Sequence, residues 1–306
     1  PLSADEAMLI VDRWYSATIE ELKSSGLNEE VAGFEKWSLN PLLVRPVVRL
    51  EDRYLMPCPR WVIDRFTPTG LYFIGWDAWG SRFTDALGDM FEAYVGSQLR
   101  LLDHARVHGE IVYGPNGEKT VDYFVVTSEA VILVEAKSAR PVYATRLGQP
   151  ESDQDIGKKV GKAVKQINNT AQLLRDRHPA VAHINPSGLP VVGVVVTLEA
   201  FHLLNTFVHK LLDDAEMPTV ISSSHELEGF ISAVYDRAEV GSRFLAAVNQ
   251  PEPSPPSLHA AASGLPVRPN PLLDQAWERF TNRSVLLRLG RPLFRIELPQ
   301  VEVGRE

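Results

Sequence analysis

The chain has 306 residues, 44% hydrophobic and 23% charged, with a net charge of −8. This suits one large or two modest globular domains with an ample core, and argues against a protein that coats nucleic acid indiscriminately while leaving room for a local basic groove. A single cysteine, Cys58, excludes an internal disulfide framework and a Cys-rich zinc site, and fits a reducing cytoplasm. No apolar run approaches the roughly 18–20 residues that span a bilayer, and nothing resembles a signal peptide. The sequence opens on Pro1 rather than methionine, which predicts an upstream portion.

Taken in order, residues 3–24 predict one helix. Ser3 and Glu6 form a capping box, Met8, Val11, Tyr15, Ile19 and Leu22 recur at helical spacing, and Gly26 follows. A second short helix is expected over 28–37. Strands are expected within 41–50 and over 53–56, broken by Pro46 and by Pro57-Cys58-Pro59. A short helix is expected over 61–66 and a strand over 71–74. Residues 1–82 show no chemistry and read as an accessory α+β region.

Residues 83–102 predict a helix with Phe83, Leu87, Met90, Phe91, Tyr94, Val95, Leu99 and Leu102 along its apolar stripe. Glu92 sits at the edge of that stripe, one turn from Gly88 and Gly96, which would let another backbone approach. Two readings stand for it: an exposed helical glutamate, or a carboxylate brought close to the sheet. Strands are expected over 106–113 and 119–126, joined by Pro115-Asn116-Gly117, a strong hairpin signal. The segment from Gly114 to Thr120 has a P-loop flavour but lacks its glycine-to-lysine spacing, and strand rather than helix follows.

The next turn organises the chain. Residues 120–140 read as two strands joined between Ser128 and Glu129, so residues whose numbers sum to 257 lie opposite each other. Asp122 and Glu135 satisfy that sum and become cross-strand partners, with β-carbons roughly 5 Å apart. Two carboxylates so close repel, and a shared divalent cation is the simplest remedy. Lys137, two residues on and on the same face as Glu135, adds an ammonium that can orient a water, which suits phosphodiester cleavage.

A helix follows over 156–178, with Val160, Val164, Ile167, Ala171 and Leu174 inward. Its first half carries Lys158, Lys159, Lys162 and Lys165, of which the first, third and fourth line one face. They read either as a solvated surface or as a cradle for a phosphate backbone. Residues 189–197, LPVVGVVVT, read as a strand buried on both faces. A helix over 201–212, a strand over 218–222 and a helix over 224–235 complete the expected domain, 83–248. Residues 249–271 read as a Pro-rich linker, and 272–306 as an extension with a helix over 272–281 and a hairpin over 284–298.

Rival chemistries find little support. His104 and His108 are separated by the expected helix end, and His202 and His209 lack a nearby Cys or Glu-x-x-His pattern. No Gly-x-Ser-x-Gly elbow occurs, and Cys58 lies between prolines with no histidine partner in sequence.

Asp122, twelve residues and then Glu135-Ala136-Lys137 resemble the signature of the PD-(D/E)XK, or restriction-endonuclease-like, nuclease superfamily. A second Glu-x-Lys, Glu21-Leu22-Lys23, falls on a helix with no strand pair before it and reads as a solvated face. The resemblance covers about residues 83–236 and implies an α/β fold with an α-β-β-β-α-β core and a mixed central sheet. It implies Mg²⁺ or Mn²⁺ held by Asp122, Glu135, the Ala136 carbonyl and Glu92, with Lys137 orienting a water. Gln166 resembles the glutamine that some branches carry after this strand. The partner implied is nucleic acid, DNA before RNA, with a homo-oligomer or upstream domain as a further partner and no membrane. A non-catalytic nucleic-acid-binding or assembly module on the same fold is the alternative.

Overall fold

The computed structural model describes residues 3–26, 40–51, 53–65, 68–138, 150–198, 212, 214–251 and 255–280. The helices expected over 28–37 and 201–212 (Leu212 apart) and the hairpin over 284–298 lie outside them.

In the N-terminal region Ser3 caps α1 (Ala4–Ile10), accepting the Glu6 N–H at 3.2 Å while Glu6 accepts the Ser3 N–H at 2.8 Å. The single helix expected over 3–24 is broken. After a π-helical turn, Val11–Tyr15, the chain extends into β1 (Ser16–Ala17), and α2 (Ile19–Gly26) then starts afresh. The restart has a local cause: Thr18 and Glu21 form a second capping box, with bonds of 3.2 and 2.8 Å. Glu21 of the stray Glu-x-Lys is thus a helix cap. β1 pairs parallel with β2 (Val47–Arg49), which pairs antiparallel with β3 (Tyr54–Leu55). After α3 (Pro59–Arg65), the strand expected over 71–74 is instead part of α4 (Pro68–Trp79). A four-residue apolar run does not distinguish the two, and Pro68 in the first turn favours helix.

The main sheet has the order β10-β9-β8-β7-β4. Its strands are β4 (Arg106–Gly109), β7 (Tyr123–Val126), β8 (Val131–Lys137), β9 (Val191–Thr197) and β10 (Thr219–Ser223). β8, β9 and β10 run parallel, while β7 is antiparallel to both β8 and β4, so the sheet is mixed. The strand expected over 106–113 divides: β4 joins the main sheet, and β5 (Val112–Tyr113) pairs with β6 (Glu118–Lys119) in a separate ribbon. The hairpin turn has φ of 68° at Gly114 and 71° at Gly117, which glycine adopts without strain.

Alternate residues of the strands feed two cores. Tyr123, Val125, Ile132, Val134, Val192, Val194 and Val196 pack with Phe91, Val95 and Leu99 of α5 (Ser81–Leu99). The same core takes Leu227, Phe230 and Ile231 of α7 (Ser224–Val234) and Val240 and Phe244 of α8 (Val240–Val248). On the other face Phe124, Leu133 and Val195 pack with Val160, Ala163, Val164 and Ile167 of α6 (Pro150–Arg175). The layers are helix, sheet, helix, and from α5 the elements that build the main sheet and its far-side helix follow the order α-β-β-β-α-β.

The stretch expected as a linker is, where described, part of this body. α9 (Leu258–Ala262) buries Leu258 and Ala261 in the α5-side core, and the buried Asn270 donates to Gln98 of α5 at 2.8 Å. Proline and serine there shape an ordered path and cap α9 through Ser257. α10 (Pro271–Phe280) follows, with the Asn270 carbonyl oxygen of its side chain accepting the Leu272 N–H at 3.1 Å.

Candidate active site

The site forms where a strand is interrupted. Between β6 and β7, residues Thr120 to Asp122 leave the ladder, and most of their backbone groups are taken by side chains. The Thr120 carbonyl accepts from Gln166 Nε2 at 2.6 Å, and the Val121 N–H donates to Thr170 Oγ1 at 3.0 Å, both on α6. The Asp122 N–H donates to Glu135 Oε2 at 3.3 Å. Thr120 Oγ1 in turn accepts the Ile111 N–H at 2.9 Å. Buried backbone groups need partners, and here they fix Asp122 against both α6 and β8.

β7 and β8 pair with Tyr123 opposite Val134 and Phe124 opposite Leu133, the register that sums to 257. Asp122 therefore lies beside Glu135. Asp122 Oδ2 accepts the Ala136 N–H at 2.7 Å, and Lys137 Nζ pairs with Glu135 Oε1. Glu135 is 0% exposed and Asp122 7% exposed. Burial, and then the Asp122 charge, push the Glu135 carboxyl up to about 8 despite Lys137. Burial also raises Asp122, against the Ala136 N–H and the Lys137 charge.

Glu92 approaches from α5. A Cβ on Gly96 would lie 2.3 Å from the Tyr123 hydroxyl, so only glycine lets the helix settle on that ring. The same hydroxyl donates to the Glu92 carbonyl at 3.0 Å. Burial raises the Glu92 carboxyl, followed by the charges of Asp122, Glu110 and Asp89. Even so, among the described residues no three His, Cys, Asp or Glu side chains are arranged to hold a metal. The structure thus brings Asp122, Glu135, Ala136 and Lys137 together, with Glu92 within electrostatic reach rather than in the same ligand array.

Gln166 is half-buried and bonds the Thr120 carbonyl rather than a carboxylate, so it braces the segment that presents Asp122. Lys158, Lys159, Lys162 and Lys165 are all exposed on α6. His104 is exposed, and His108 makes an edge contact with His183, ring centres 6.1 Å apart. His202 and His209 lie outside the described residues.

Glu110 and Lys119 escape a sequence reading. Lys119 Nζ pairs with Glu110 Oε1 at 3.0 Å, and both charges are felt by Glu92 and by Asp122. The signal was present: Lys119 opposes Val112, so Glu110 is its diagonal neighbour across the Asn-Gly hairpin.

Two buried acids and a neighbouring carbonyl form a hard-oxygen donor set, which suits a divalent cation that keeps several waters. Burial raises both carboxyls, and a nearby positive charge would favour their ionised forms.

No protein-family model matches the sequence, and no curated protein matches it either. Among solved structures the chain is similar to the small subunit (R.BspD6I2) of the heterodimeric restriction endonuclease R.BspD6I, at 11% identity and a TM-score of 0.26. That similarity spans 47% of this chain and 66% of the other, just under two thirds of its length, and is too slight to carry an argument about activity.

Proposed function

We propose that this chain is a metal-dependent nuclease that hydrolyses phosphodiester bonds, with DNA as its substrate. The observation that carries the reading is the cross-strand pair of buried carboxylates, Asp122 and Glu135, with Lys137 bonded to one of them. Burying two adjacent acids in a hydrophobic strand pair costs stability, and a bound cation would offset that cost.

Asp122 and Glu135, with the Ala136 carbonyl, would hold Mg²⁺ or Mn²⁺, and Glu92 would add negative potential from α5. The cation, when bound, supplies a polarised phosphate oxygen and a more acidic water. Lys137, held beside Glu135, would orient the attacking water or offset charge on the phosphate. The Asp122–Ala136 bond keeps the carboxylate aimed. The exposed lysines of α6 would carry the phosphate backbone. A cytoplasmic setting, in restriction, phage defence or repair, accords with this reading.

The test is cleavage of plasmid DNA, single-stranded DNA and RNA, each with Mg²⁺ or with EDTA. Metal-dependent loss of plasmid DNA is the expected result. Cleavage of RNA alone changes the substrate, and no cleavage of any of the three points to a nucleic-acid-binding module.

A further inference from the structure

The Glu110–Lys119 pair lies within electrostatic reach of Glu92 and Asp122. Lys119 closes β6, one residue before the Thr120 carbonyl that Gln166 holds at 2.6 Å. Lys158, Lys162 and Gln166 are spaced by four on α6, so they lie on one helical face. That face therefore runs from two exposed cations to a side chain bonded next to Lys119. Beyond Lys119 the chain reaches Asp122 within three residues.

Resting on the nuclease reading, we propose that Lys119 is a phosphate-positioning residue: it links the α6 lysines to the carboxylate pair in one track along which a nucleic-acid backbone lies. Three observations support it. The Lys119 side chain is 61% exposed, so a polymer can reach it, whereas its partner Glu110 is 24% exposed. The ribbon β5–β6 is a short hairpin with both turn glycines at positive φ, and Tyr113 packs edge-on against His178, ring centres 5.6 Å apart. This holds the ribbon against the segment that follows α6. Finally, Lys119 pairs with Glu110 and adds a positive charge near Glu92 and Asp122, so it offsets part of the negative charge at the approach to the site. A polyanion nearing three carboxylates meets repulsion unless such a cation stands on its path.

The experiment measures binding of a labelled DNA duplex by the full chain in Ca²⁺, which occupies carboxylate sites while slowing hydrolysis, across a salt series. Lys119→Ala should weaken binding about tenfold at low salt and flatten the dependence of log Kd on log salt by about one unit. Lys119→Arg should restore both. Glu110→Gln should bind at least as tightly as the unmutated chain, because it frees the ammonium and removes a negative charge. An unchanged salt slope in Lys119→Ala overturns the proposal, as does a Glu110→Gln defect equal to that of Lys119→Ala, which would make the pair a structural brace. Absence of any binding by the unmutated chain overturns it too. A parallel Mg²⁺ cleavage arm separates the two readings: cleavage with no Lys119 effect removes only this inference. Lys119-dependent binding without cleavage removes only the hydrolytic one.

Discussion

Asp122 and Glu135 are tied crosswise. The Asp122 N–H reaches the Glu135 carboxylate at 3.3 Å, while the Asp122 carboxylate takes the N–H of Ala136, the next residue, at 2.7 Å. Each acid is oriented partly by the backbone of the other's strand, so neither can swing away without breaking the pair. An amide at position 122 keeps an acceptor for Ala136 but loses its charge. Asp122→Asn should therefore fold normally and lose metal-dependent cleavage by about 100-fold or more, as should Lys137→Ala. Circular dichroism with a plasmid assay checks this; full activity in either variant removes the assigned site.

Acidity offers a second test. Glu135 is raised from 4.5 to about 8, and Asp122 is raised as well. A group that holds its proton more tightly when folded contributes stability below its unfolded value and loses it as pH rises through its folded value. Without divalent metal, Tm should therefore fall as pH rises from about 4.5 to about 8. Glu135→Gln should flatten that fall. Mg²⁺ should raise Tm most at the alkaline end, by an amount that corresponds to about 2.7 kcal/mol at a hundredfold excess over Kd. Scanning calorimetry with and without EDTA reads all three, and an equal slope in Glu135→Gln would contradict the assignment.

Gly96 sets the distance between α5 and the sheet. An alanine there meets the buried Tyr123 ring, whose hydroxyl would be 2.3 Å from the new carbon. Gly96→Ala should cost about 1–3 kcal/mol. It should also lower cleavage, because Tyr123 anchors the Glu92 carbonyl. Tm and activity measured together test the two effects, and an unchanged Tm would show that the contact relaxes freely.

A buried polar chain joins three helices. Glu228 of α7 accepts from the Tyr94 hydroxyl at 2.6 Å, Gln98 donates to that hydroxyl at 2.9 Å, and Asn270 donates to Gln98 at 2.8 Å. Asn270→Ala uncaps α10 and leaves the fully buried Gln98 oxygen without its donor. The expected loss is about 1–3 kcal/mol, visible in urea denaturation. A loss below a few tenths of a kcal/mol would mean that water replaces the asparagine.

The sequence made the β7–β8 register legible because a short turn and strict alternation leave few alternatives. It made α5 and the core face of α6 legible through helical periodicity. It did not show the break at Thr120 to Asp122, because the residues that cause it, Gln166 and Thr170, act from 46 and 49 positions away. The restart at Thr18 was readable as a capping box but was masked by the apolar spacing that continues through it. The packing of residues 255–270 was hidden by composition, since Pro and Ser describe turns without saying what they press against. Gln166 shows the same limit, because a polar residue near a site contributes by position as readily as by contact.

The interruption before β7 has a mechanical corollary. Because α6 holds Thr120 and Val121 through two side chains, that helix is tied by two hydrogen bonds to the segment that carries the acid at 122. A polymer pulling on the exposed lysines would load the same lever that aims the carboxylate. Contact with a long, correctly seated strand could then sharpen the aim in a way that a short fragment could not.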